Sequence, residues 1–104
     1  MTIQINTDKH VEGHDRLDSY YSAELEKALA RFDDKITRIE VHFGDENGAK
    51  SGLKDKKCVI EVRAVKVQPL AVTEHADSLE KAFHGAVDKI KKSLTTTFEK
   101  QRAH

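Results

Sequence analysis

DSLEKAFHGAVDKIKKSLTTTF, running from Asp77 to Phe98, carries two chemistries on one repeat. Leu79, Phe83, Ala86, Val87, Ile90, Leu94 and Phe98 recur three and four residues apart, the spacing that stacks side chains on one face of an α-helix. Lys81, Lys89, Lys91 and Lys92 fall off that stripe. Such a helix docks by its apolar face and leaves positive charge on its free sides. Asp77, with Glu80 three residues later, reads as its N-terminal cap, an arrangement like a capping box.

Upstream of this helix the period changes from helical to alternating. Leu70 to His75 reads as a strand, and Pro69 before it is tolerable at a strand's first residue or on a sheet edge. Cys58, Ile60, Val62 and Ala64 alternate through a strand from about Lys57 to Val65, and Ile39, Val41 and Phe43 alternate against Arg38, Glu40 and His42 in another that ends at Gly44. Between them, residues 44–57 hold three Gly and little apolar material, so an exposed hairpin loop is expected. Leu17, Tyr21, Leu25, Ala28, Leu29 and Phe32 form a second helical stripe, capped by Asp15 and ending at about Arg31 before Asp33 and Asp34. Ile3 and Ile5 alternate in a short first strand. The order is β-α-β-β-β-α. Two amphipathic helices on one face of a four-stranded, largely antiparallel sheet satisfy every apolar stripe, which predicts a two-layer α+β sandwich.

The chain has 104 residues, 35% of them charged, with one Pro and no Trp, which is material for one core and hence one domain over residues 1–104. No apolar run approaches the roughly 20 residues that cross a membrane. The N-terminal residues lack the basic and apolar regions of a signal peptide, so a cytoplasmic protein is expected. Cys58 is the lone cysteine and sits in an alternating strand, so it reads as a buried thiol. His10 and His14 have a four-residue spacing, but Gly13 and the loop composition argue against a helical metal pair there. No metal, cofactor or small-molecule substrate is expected, and the motifs of phosphate-binding loops, serine hydrolases and zinc proteases are missing. The sequence gives no reason to expect an enzyme.

Charge is where the chain speaks most directly about partners. Its 18 basic and 18 acidic side chains cancel, yet residues 1–53 carry 7 basic against 11 acidic and residues 54–104 carry 11 against 7. A polyanion responds to local potential, so segregated charge is enough to bind one. On the second helix Lys81 and Lys92 share a side while Lys89 and Lys91 flank the apolar stripe. On the first, Arg16, Tyr20, Lys27 and Arg31 fall within about 60° of one another. The two basic edges suggest a clamp for phosphate, built from Lys81, Lys89, Lys91 and Lys92 with Lys27 and Arg31.

Two segments carry a resemblance. Ala28-Leu29-Ala30-Arg31-Phe32-Asp33-Asp34-Lys35-Ile36-Thr37-Arg38-Ile39-Glu40-Val41-His42 and Val87-Asp88-Lys89-Ile90-Lys91-Lys92-Ser93-Leu94, in this element order, resemble the ribosome hibernation-promoting factors. These are also called ribosome-associated translation inhibitors or sigma-54 modulation proteins, S30AE-type, and the chain is similar to their short form. The resemblance implies a fold like that of double-stranded-RNA-binding domains. It also implies binding to 16S-type rRNA of the small ribosomal subunit in the channel for messenger and transfer RNA, blocking translation in stress or stationary phase. It points to Arg31, Lys35, Arg38, Lys89, Lys91 and Lys92 as RNA contacts and so brings Lys35 into the clamp as its seventh member, while the residue patterns add Lys27 and Lys81 on the helices and Arg63 on a strand. The free protein is expected to be a monomer. The competing reading is a protein-binding regulatory module that uses the outer sheet face or a sheet edge, with Val59 and Val65 as its apolar points.

Overall fold

The computed structural model describes residues 1–7, 14–45 and 56–102, with the backbone alone for 14–17 and 102. The elements are β1 (Thr2–Thr7), α1 (His14–Ala28), a 3₁₀ turn (Ala30–Phe32), β2 (Ile36–Asp45), β3 (Lys56–Ala64), β4 (Leu70–Ala76) and α2 (Leu79–Arg102). They build the expected α+β sandwich, a sheet in the order β1-β2-β3-β4 with both helices packed on one face. The sheet is mixed. Helix α1 carries the chain back along its length before β2 begins, so β1 and β2 run parallel, whereas β2–β3 and β3–β4 are antiparallel.

Register explains the core. Ile3, Ile39, Val62 and Leu70 lie in one row across the sheet, and Ile5, Val41, Ile60 and Val72 in the next. Period-two alternation turns both rows toward the helices, where Leu25, Leu29, Phe83, Ile90 and Leu94 are fully buried against them. Burying each of these large side chains contributes about 1.5–3 kcal/mol. Ile36 is buried as well as Ile39, although an odd spacing should put them on opposite faces. A register irregularity between Ile36 and Arg38 turns both inward.

Several local boundaries differ from the sequence reading. Helix α1 begins at His14, so Asp15 lies within it rather than at its cap. The cap of α2 is Ser78 rather than Asp77: the Ser78 hydroxyl accepts the Lys81 backbone N–H at 3.2 Å, and the Ser78 carbonyl accepts that of Ala82 at 3.0 Å. Asp77 instead pairs with the Lys81 ammonium at 3.1 Å. The first helix stops at Ala28, and the chain tightens into bonds three residues apart, from Phe32 N–H to Leu29 and from Asp33 N–H to Ala30. Finally, Asp45 and Lys56 extend the β2–β3 ladder beyond Gly44 and Lys57 and are ion-paired at 3.2 Å. Most of the expected hairpin loop, along with His10, lies outside the described residues, as do the side chains of His14, Asp15 and Arg16.

One helix-facing row carries an unexpected group. Glu74 occupies a helix-facing position of β4, opposite Cys58, and lies across α2 at Gly85. Glycine relieves this crossing, because a Cβ there would lie 2.7 Å from the Glu74 Cγ and the Glu74 side chain would have to shift. Glu74 is then neutralised by Lys89 at 3.1 Å.

Candidate nucleic-acid interface

The helices run in the same direction, as two contacts show. Tyr21 of α1 meets Phe83 of α2 with ring centroids 4.5 Å apart, and further along Arg31 donates a hydrogen bond to the Thr95 hydroxyl. Both N-terminal ends therefore lie together, as do the stretches that follow them. At the N-terminal end Glu80 lies 3.6 Å from the His84 ring, and lost solvation together with Glu24 and Glu80 holds the Tyr20 phenol above its usual range. That end is acidic, and the other is basic.

At the basic end the small side chains of Ala28 and Ala30 leave a groove between the helices. Lys27, Ala28, Ala30, Arg31, Lys91, Lys92 and Thr95 line a concavity of about 540 Å³. A second hollow of about 290 Å³ shares Arg31 and Thr95 with the first and continues past Phe32, Lys35, Phe98 and Glu99. Aromatic rings hold two of the cations in place: the Arg31 guanidinium lies 4.6 Å from the Phe32 ring centre and the Lys35 ammonium 4.6 Å from that of Phe98. None of Lys27, Arg31, Lys35, Lys91 and Lys92 has a carboxylate within ion-pairing distance among the described residues.

The nine expected RNA contacts thus divide into three groups. The groove gathers Lys27, Arg31, Lys35, Lys91 and Lys92. Lys81 and Lys89 are not part of it, so the expected seven-residue clamp loses these two members. Lys81 is tied to Asp77, and Lys89 reaches β4, where it meets Glu74 and donates to the Thr73 carbonyl at 2.9 Å. Helix geometry separates neighbours here: Lys89 and Lys91 are two residues apart and hence about 160° apart around α2. Arg38 and Arg63 are register partners on the outer face of the sheet, away from both helices. Arg38 is engaged by Glu40 at 3.8 Å and by Gln4.

Thr95, Ala28, Ala30 and Phe98 complete the groove, and the charge pattern alone did not single them out as site residues. Thr95 had a readable signal, since it lies one helical turn beyond Lys91 and Lys92. The apolar points of the competing reading do not form a patch. Val59 is half-buried in β3, whereas Val65 lies in the turn after β3 rather than on the sheet, with its N–H bonded to the Lys35 carbonyl. Cys58 is buried, and burial pushes its thiol up to about 12. No cluster of three metal-ligating side chains occurs among the described residues, and none of their helices is long and apolar enough to cross a membrane.

The sigma 54 modulation protein / S30EA ribosomal protein family model matches residues 3–102. The chain belongs to this family. Its members are ribosome-associated modulation factors, so a ribosome-associated role follows for this one. Solved structures agree on the fold. The Protein Y N-terminal domain of Thermus thermophilus superposes with a TM-score of 0.72 at 20% identity, covering 93% of this chain and 99% of that one. A ribosomal subunit interface protein from Coxiella burnetii gives 0.72 at 20% identity, covering 95% and 99%. Comparison with curated proteins finds no match. The groove between α1 and α2 gathers five cations that have no carboxylate partner among the described residues.

Proposed function

We propose that this S30EA-family chain is a translation inhibitor that binds 16S-type rRNA of the small ribosomal subunit through the α1–α2 groove. Residues 1–104 act as a single ribosome-binding domain in the cytoplasm, monomeric when free. Bound in the channel for messenger and transfer RNA, the domain excludes both by volume, under stress or in stationary phase. Occlusion needs no chemistry, substrate or cofactor.

One observation carries this reading: five cations line a concave surface without carboxylate partners among the described residues, so their charge is available to phosphate. A cation already neutralised by a neighbouring carboxylate gains less from a phosphate than one that is not. Lys27, Arg31, Lys35, Lys91 and Lys92 are therefore the primary contacts, and Lys81, Lys89, Arg38 and Arg63 are secondary or outside the interface. Pelleting with purified small subunits tests this. Lys91→Gln with Lys92→Gln should strip the protein from the pellet, while Lys81→Gln with Lys89→Gln should leave most of it bound. Equal retention of the two folded variants would refute the assignment.

A further inference from the structure

We infer that the groove seats an unpaired, single-stranded stretch of RNA, with phosphates on its cationic rim and a base laid on the Ala28–Ala30 floor. This rests on the proposed RNA-binding role and narrows it, because the fold's likeness to double-stranded-RNA-binding domains would suggest a duplex.

Shape and lining argue for the single strand. Duplex RNA is gripped across its minor groove and along its phosphate ridges, which requires a surface that reaches into or around a stiff cylinder. Here the cations line a hollow of about 540 Å³, with Lys27 and Arg31 on one wall and Lys91 and Lys92 on the other. A rigid helix rides over such a hollow, whereas a flexible strand enters it. The floor is apolar: Ala28 and Ala30 present methyl groups, and lysine side chains extend their methylene stems along apolar surface while the ammonium groups stay in water. Such a floor suits the apolar face of a base and not a phosphate, which would lose solvation there.

The trough has a direction. It continues from the first hollow into the second through Arg31 and Thr95, spanning Lys91 to Phe98 on α2, about 10 Å at the helical rise. That length accommodates about three nucleotides at the roughly 3.4 Å spacing of a stacked strand. Glu99 lines the far hollow and repels phosphate there, so the densest backbone contact falls at the end formed by Lys27, Lys91 and Lys92.

The test compares three ligands by fluorescence anisotropy: a single-stranded RNA 10-mer, the duplex it forms with its complement, and inorganic polyphosphate as a charge-only competitor. The wild-type chain should bind the single strand about 4-fold or more tighter than the duplex at equal salt, the scale of apolar contact between a base face and methyl and methylene groups. Ala30→Leu, which fills an exposed floor position with a bulkier side chain, should weaken single-strand binding about 3-fold or more while polyphosphate competition stays unchanged. Lys92→Met, which keeps the stem and removes the charge, should weaken both. Duplex binding equal to or tighter than the single strand would overturn the inference, as would an Ala30→Leu variant that binds the single strand like wild type. Small-subunit pelleting separates the two claims. Pelleting without single-strand preference sinks this inference alone, and single-strand preference without pelleting sinks the ribosomal role alone.

Discussion

Gly85→Ala should destabilise the protein, although the same change in an ordinary helix interior stabilises it. Alanine is favoured over glycine by about 1 kcal/mol in a helix. At this position, however, the new Cβ would lie 2.7 Å from Cγ and 2.8 Å from Cδ of Glu74, and closer still to Oε2. Carbon atoms pack comfortably at about 3.5–4.0 Å, so the Glu74 side chain must move by roughly 1 Å. It cannot simply swing its tip aside, because Cγ itself is in the way and the residue sits in a helix-facing row of β4. Moving it also disturbs the Lys89 ion pair at 3.1 Å. Overpacking of this kind costs about 1–3 kcal/mol, which after the helix-propensity gain leaves a net loss of about 0–2 kcal/mol. A loss near 1 kcal/mol lowers Tm by about 4–8 °C in a domain of this size. Urea and thermal unfolding followed by circular dichroism measure it, with Glu74→Ala and the double variant completing a cycle. In the Glu74→Ala background, Gly85→Ala should raise stability by about 1 kcal/mol, since the obstacle is gone. A rise in Tm from Gly85→Ala in the wild-type chain would refute the packing argument. Because Gly85 and Lys89 lie outside the groove, the folded variant should still bind RNA.

Three further outcomes follow from single contacts. Ser78→Ala should cost about 1 kcal/mol in chemical denaturation, more than Asp77→Ala, and the reverse order would return the cap to Asp77. Lys66 holds φ at 63°, a conformation that costs an L-residue about 1–2 kcal/mol, so Lys66→Gly should leave Tm unchanged or raise it slightly; a loss above about 1 kcal/mol would contradict this. Burial keeps Cys58 protonated to about 12 against an ordinary value of 9.0, so the folded protein should resist iodoacetamide at pH 8 while the urea-unfolded chain reacts. The thiol's contribution to stability is present in full below pH 9 and declines as pH rises from there toward 12, by up to about 1.4 kcal/mol per pH unit.

Much of the fold was legible because its signals are local and repetitive. The stripe from Leu79 to Phe98 and the alternation at Ile39, Val41 and Phe43 each name a period, and each period names an element. What escaped the reading depends on contacts between elements. Ile36 joins the core only through an irregularity shared with β3, and the end of α1 depends on how Leu29 and Phe32 bury against the sheet. The site was half legible. Helix arithmetic finds which lysines share a side, but it does not say what faces that side. Lys89 and Lys91 read alike as flanking residues, yet one flank meets Glu74 of β4 and the other opens on α1. Arg38 and Arg63 read as basic positions, and only the register puts them on the opposite face of the sheet from the groove.

The salt dependence of small-subunit binding tests the central claim most directly. If Lys27, Arg31, Lys35, Lys91 and Lys92 each meet a phosphate, log K against log salt should fall with a slope of about −3.5 to −4.5 between roughly 50 and 200 mM. Replacing Lys91 and Lys92 by Gln should make that slope shallower by about 1.4–1.8. Replacing Lys81 and Lys89 by Gln should leave it near the wild-type value. A flat dependence for the wild-type protein, or equal slopes for the two double variants, would contradict binding through the groove.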